Sequence, residues 1–146
     1  MKQVFLAVLL FSALFATGAP LQVDRLRVNL QANPTGVTDT PKLSWKLVSN
    51  EKGKHQRSYH ILAASSLKKL TVETADLWNS KVANSANKHL ISWKGKKLKK
   101  NQKVFWKVQV WDESNAVSKW SKPASFVVGG IKSTPKPTRV SHFESS

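Results

Sequence analysis

At 146 residues the chain has room for one domain and a tail, which excludes a large multidomain enzyme. It contains no cysteine, so disulfide scaffolds, zinc-cysteine sites, thiol nucleophiles and lipid attachment at an N-terminal cysteine are excluded as well. Lys and Arg number 24 against 8 Asp and Glu, and the resulting +16 fits a polyanionic partner, a solvated face or simply a lysine-rich composition.

The first predicted element is a targeting signal. Lys2 supplies a positive start, residues 4–15 are an almost unbroken apolar run, and Ala16-Thr17-Gly18-Ala19 has the small residues a signal peptidase accepts. The run falls short of the ~20 apolar residues that a membrane-crossing helix needs, so cleavage after Gly18 or Ala19 is expected and no transmembrane segment is. This divides the chain into a signal peptide (1–19), an exported domain (20–131) and a tail (132–146), and it implies a secreted or periplasmic protein. The exported part keeps all six Trp and all eight acids.

From Pro20 onward the pattern has a period of two, the signature of strands. Leu26, Val28 and Leu30 alternate with Arg25, Arg27 and Asn29 before Asn33-Pro34-Thr35-Gly36 breaks the run. A second strand turns Leu43, Trp45 and Leu47 inward, with Ser44 and Lys46 outward, and ends at the polar turn 50–54. A third, over 58–64, has Tyr59, Ile61 and Ala63 on one face and His60, Leu62 and Ala64 on the other. Two apolar faces predict an inner strand. Residues 65–76 fit a short helix or a loop, and 78–82 and 90–93 read as two short strands.

The strongest strand follows. Val104, Trp106, Val108 and Val110 face one way, and Phe105, Lys107, Gln109 and Trp111 the other. Asp112-Glu113-Ser114-Asn115 is a hairpin turn without the usual glycine. A last strand covers 125–128 and stops at Gly129-Gly130. Short strands at this spacing, with no long amphipathic helix, predict an antiparallel β-sandwich of about seven strands. The Pro, Ser and Thr of the tail cannot bury a core and predict an extended linker.

Several blocks in order carry a resemblance: Asn33-Pro34-Thr35-Gly36, Pro41-Lys42-Leu43-Ser44-Trp45, Gln56-Arg57-Ser58-Tyr59-His60-Ile61-Leu62, Asp76-Leu77-Trp78-Asn79-Ser80, Gly95 with Leu98, Phe105 through Asp112, and Trp120-Ser121 with Phe126 and Gly129. Together they resemble the N-terminal fibronectin-type-III-like domain of bacterial α-L-rhamnosidases. The resemblance covers most of residues 21–131 and implies a single all-β, fibronectin-type-III/immunoglobulin-like antiparallel sandwich. It also implies that catalysis belongs to acidic residues of a separate helical barrel further downstream. A chain ending at Ser146 is then expected to be no enzyme on its own. Two positions depart from the family pattern. Lys81 stands where a glycine usually follows the Trp-x-Ser block, and Val104 stands where an aromatic usually marks the corner of the long strand, so the hydrogen bond of a corner tyrosine is expected to be missing.

The residues give little support for catalysis. Glycoside hydrolysis needs two carboxyl groups facing one bond, but Asp112 and Glu113 share a turn and Glu73 and Asp76 lie in the irregular segment, where both pairs read as solvated acids. His55, His60, His89 and His142 lack metal-ligand spacing, and no serine lies in a nucleophile elbow. No catalytic residue, metal or cofactor is expected. The informative feature is an acid-free stretch between Leu77 and Trp111 that packs Lys94, Lys96, Lys97, Lys99, Lys100 and Lys103 around a turn beside Trp93. Such a loop attracts an anionic polysaccharide, nucleic acid or an acidic membrane surface by counterion release, and Trp93 offers stacking on a sugar or base face. The plainer reading is a solvated lysine loop, because arginine is the better fork for carboxylate or phosphate. Trp45, Trp78, Trp106 and Trp120 read as packing residues, whereas Phe105 and Trp111 form a candidate partner surface if exposed together.

Three readings follow. The first is a non-catalytic secreted module binding carbohydrate or a protein partner, with nucleic acid disfavoured by export. The second is a truncated or split α-L-rhamnosidase needing a separate catalytic chain. The third is a cell-surface or matrix structural module.

Overall fold

The structure, a computed structural model, describes residues 20–130. The expected signal peptide (1–19), the expected tail (132–146) and Ile131 lie outside the described residues. Seven strands are present: β1 (Gln22–Val28), β2 (Lys42–Val48), β3 (Gln56–Ala64), β4 (Trp78–Ala83), β5 (Ile91–Ser92), β6 (Lys103–Asp112) and β7 (Ala124–Val127). They form two antiparallel sheets with strand orders β1-β2-β5 and β4-β3-β6-β7. The sandwich expected from the alternation is therefore present, and residues 65–76 fold as turns rather than a helix.

Strand β6 organises the core. Val104, Trp106, Val108 and Val110 are all fully buried, and the strand pairs with β3 from Gln56↔Asp112 to Ala64↔Phe105. Against it pack Leu26, Val28, Leu43 and Trp45 from the small sheet and Ile61, Ala63 and Phe126 from the large one. Each such large apolar side chain contributes roughly 2 kcal/mol on burial. Trp106 serves as volume alone, since its indole N–H meets no acceptor among the described residues. The second apolar face of β3 is also used: Leu62 and Ala64 lie beneath Leu70, Phe105 and Trp120 on the outside of the large sheet.

Two face assignments are corrected. Leu30 is 59% exposed, because Asn29 and Leu30 both adopt positive φ and turn the chain just after β1. Ser44, expected outside, is buried, and its hydroxyl accepts the Leu90 amide at 2.9 Å. The hairpin after β6 closes without glycine because Asn115 takes the left-handed conformation (φ 63), and its amide donates to the Asp112 carbonyl. Val104, at the corner of the long strand, is core. Gln102 ties that corner instead: its Oε1 accepts the Lys99 backbone amide at 2.8 Å, and its backbone N–H donates to the Lys99 carbonyl at 3.1 Å.

Lys81 has φ 55, the left-handed region that a side chain enters at a cost and glycine enters freely. It lies beside a register shift between His60 and Leu62 on β3, and Ser80 Oγ accepts the Ile61 amide there. Lys81→Gly is therefore expected to raise stability by about 0.5–1 kcal/mol, after allowing for the greater unfolded-state freedom of glycine. Thermal melting checks this against Lys81→Ala, which removes the charge but keeps the Cβ. A midpoint for Lys81→Gly at or below that of Lys81→Ala would show the backbone here to be unstrained.

Candidate functional site

The strand register puts the loops 29–41, 65–77 and 93–102 at one end of the sandwich and 49–55, 84–90 and 112–117 at the other. The lysine-rich loop is held at the first end by four internal anchors. Trp93 donates its backbone amide to the Pro41 carbonyl (2.9 Å) and its indole N–H to the Lys96 carbonyl (2.9 Å). Gly95 sits so close to β4 that a Cβ there would meet the Leu77 carbonyl oxygen at 2.6 Å and Trp78 Cβ at 2.7 Å. The next amide, Lys96, donates to that same Leu77 oxygen at 2.8 Å. Leu98 packs onto the core. Asn101, at φ 62, donates to the Val128 carbonyl, and the Val128 amide returns a bond to Gln102.

Between these anchors Lys94, Lys96, Lys97, Lys99 and Lys100 are exposed, as is Lys103 at the start of β6. Among the described residues no carboxylate lies within ion-pair distance of any of the six. Lys103 Nζ stands 5.1 Å from the Phe105 ring centroid, and the end of the Lys100 side chain passes over Gly130. Six cations within ten residues, with no ion-pair partner among the described residues and on an anchored backbone, make a strong local potential for an anionic chain.

Trp93 is half-buried. Its ring makes T-shaped contacts with Trp78 at 5.1 Å and Phe126 at 6.0 Å, and these anchor the loop. Phe105 and Trp111 are not brought together. They stand six residues apart on β6, about 20 Å at the strand rise. Phe105 belongs to the outer cluster under residues 65–76, and Trp111 is bridged to Val117 at the hairpin. Between them the Gln109 side-chain amide donates to the Ser118 carbonyl. Lys107 Nζ lies 4.9 Å from the Trp120 ring centroid, where burial lowers its pKa.

Of the four acids expected to be solvated, Glu73 and Glu113 are exposed, whereas Asp76 is half-buried and Asp112 is not solvated at all. Asp112 is fully buried, and its Oδ2 accepts Lys54 Nζ at 2.9 Å. Asp76 accepts the Ser65 amide (2.8 Å) and hydroxyl (2.6 Å), and Lys69 lies 3.6 Å away. His60 is buried, and its Nε2 donates to Asn79 Oδ1 at 2.7 Å. Among the described residues no group of three or more His, Cys, Asp or Glu is placed to hold a metal ion, and no helix is long and apolar enough to cross a membrane.

Comparison with known proteins gives a consistent family. The profile of the Rha78A-like, N-terminal immunoglobulin domain covers residues 23–132. An α-L-rhamnosidase of Formosa agariphila is 41% identical over 110 residues, which are 75% of this chain and 12% of that protein. Among solved structures, Streptomyces avermitilis α-L-rhamnosidase complexed with L-rhamnose superposes with a TM-score of 0.73 at 32% identity, covering 76% of this chain and 11% of that one. The α-L-rhamnosidase from Dictyoglumus thermophilum gives 0.71 at 31% identity, covering 75% and 12%. The chain thus spans about 12% of the length of the curated relative it matches at 41% identity.

Proposed function

Because the chain belongs to the Rha78A-like N-terminal immunoglobulin domain family, we propose that it is a secreted, non-catalytic sandwich module that binds an anionic glycan through its lysine-rich loop. The observation that carries this reading is the loop itself, with six exposed lysines on a backbone pinned at Trp93, Gly95, Leu98 and Asn101 and, among the described residues, no acid within ion-pair distance of them. With the Trp93 ring half-buried against Trp78 and Phe126, recognition is mainly electrostatic. Arrangement matters here as well as number, because a flexible lysine tract would need none of these anchors. The small share of each relative that the chain covers supports a second reading, in which the module works beside a separate rhamnosidase chain.

Retention on an immobilised acidic polysaccharide tests the first reading. Binding is expected at low ionic strength, loss at moderate salt, and clear weakening in a Lys96/Lys97/Lys99/Lys100→Ala variant whose melting is unchanged. The same preparation is expected to show no turnover of an aryl rhamnoside. Retention that ignores both salt and the four lysines removes the electrostatic reading, and turnover above background removes the non-catalytic one. Capture by a protein and by no glycan would move the function to the partner-binding alternative.

A further inference from the structure

The two sheets leave a cleft along one side of the sandwich. Its walls are β1, the edge strand of the small sheet, and the segment 122–124 that leads into β7, the edge strand of the large sheet. The cleft holds about 490 Å³, and Gln22, Asp24, Arg25, Arg27, Asn33 and Lys122 are among its lining residues. A neighbouring hollow of about 390 Å³ shares Gln22 and Lys122 and reaches Trp120.

The cations here differ in kind from those of the loop. Arg25, Arg27 and Arg57 are the only arginines among the described residues, and two of the three line this cleft. Arg25 has φ 48 and sits where the β1–β2 register shifts between Asp24 and Arg27. A bulge of this kind re-aims side chains, and a non-glycine residue held in the left-handed region is strain that the surroundings must maintain. Neither guanidinium is neutralised by a tight pair. Arg25 reaches Asp24 only at 3.9 Å with both side chains largely exposed. Arg27 gives one N–H to the Leu26 carbonyl at 3.3 Å, leaving the rest of its five donors. Arg25, Arg27 and Lys122 outnumber the single acid Asp24 in the lining.

We propose that this cleft is a second anion site, which takes a carboxylate-bearing sugar of the same glycan chain whose remainder lies on the lysine-rich loop. A planar guanidinium fork meets a carboxylate with two parallel hydrogen bonds, a geometry that ammonium groups do not offer. The arginines therefore supply selectivity for a uronate, and the lysines supply charge. Strand β7 links the two sites. Ala124 lines the cleft, and Val127 pairs with Lys103 at the loop about 10 Å further along. A ligand engaging both is an oligosaccharide rather than a single sugar. The proposal rests on the anionic-glycan reading of the loop.

Calorimetric titration with di- and hexagalacturonate, and with methyl-esterified hexagalacturonate, separates the two sites. The hexamer is expected to bind tighter than the dimer and the neutral ester not at all. Arg25→Gln/Arg27→Gln is expected to weaken the hexamer by about tenfold or more and to abolish dimer binding. The four-lysine variant is expected to weaken the hexamer while leaving the dimer in the cleft. Amide NMR shifts on adding the dimer should then fall on Arg25, Arg27, Lys122 and Ala124. If the arginine variant binds as wild type does and only the lysine variant fails, the cleft proposal is overturned and the loop reading stands. Loss of hexamer binding from the wild type itself overturns both. Because the arginine pair also sits in a bulge, an Arg25→Lys/Arg27→Lys variant is included. It keeps the charge without the fork, and wild-type dimer affinity in it would overturn the carboxylate assignment.

Discussion

Replacing Asp112 with alanine is expected to lower stability by about 3 kcal/mol and the thermal midpoint by roughly 10 °C. Asp112 is fully buried at the end of β6. Its Oδ1 accepts the Ser114 amide at 2.8 Å and the Ala116 amide at 2.9 Å, while its Oδ2 accepts Lys54 Nζ at 2.9 Å. The carboxylate thus forms the hairpin and also ties it to the turn 49–55, whose Lys54 lies near Glu51 (3.7 Å) and Glu113 (3.8 Å) as well. Removing it leaves two amides without their acceptor and a largely covered ammonium without its closest partner.

The same pair sets a pH signature. Burial alone pushes the Asp112 carboxyl up, but the Lys54 hydrogen bond and the Ala116 and Ser114 amides outweigh it and hold it below its ordinary 3.8. A depressed folded-state value means that the stabilisation is complete above the unfolded value and is lost as pH falls below about 4 through the folded one. For Lys54 the Asp112 hydrogen bond, set against burial, raises the pKa above 10.5, so its share is complete below that value and is lost as pH rises past it. Melting followed from pH 7 down to 2 should therefore fall more steeply in wild type than in Asp112→Asn. Parallel curves for the two proteins would remove Asp112 from the acid response.

What could be read from the chain depended on how local its cause was. The faces of β6 followed from alternation alone, because Val104, Trp106, Val108 and Val110 meet one core and their neighbours meet the outside. Apolar character on both faces of β3 correctly placed it inside the sheet, between β4 and β6. The α-L-rhamnosidase front-domain resemblance rested on blocks that the structure puts into the core and its turns, and the family profile bears it out. Distant partners were not legible. Asp112 looked like a turn acid since Lys54 lies 58 residues away in sequence, and Trp93 looked like a loop aromatic because Trp78 and Phe126 reach it from two other strands. The lysines could be located from the sequence, whereas the cleft could not, since its arginines and Lys122 come from the edges of different sheets.

Gly95→Ala separates the placement of the lysines from their number. The added Cβ would meet the Leu77 carbonyl oxygen at 2.6 Å, Trp78 Cβ at 2.7 Å and Trp93 Cζ2 at 2.7 Å. The first two belong to or adjoin the backbone at the start of β4 and cannot swing aside, so the loop itself must move. Movement stretches the 2.8 Å bond from the Lys96 amide to Leu77 and opens the Trp78–Trp93 contact. Overpacking of this kind costs about 2 kcal/mol, and the midpoint should drop by several degrees. Every lysine is retained in this variant, yet elution from an acidic polysaccharide is expected at lower salt than for wild type, towards that of the four-lysine variant. The two variants then form a contrast: one keeps the scaffold and loses the charge, the other keeps the charge and loses the scaffold. Elution of Gly95→Ala at the wild-type salt concentration, despite its lower midpoint, would mean that the glycan senses only how many lysines the loop carries and that the anchoring at Trp93 and Gly95 serves folding alone.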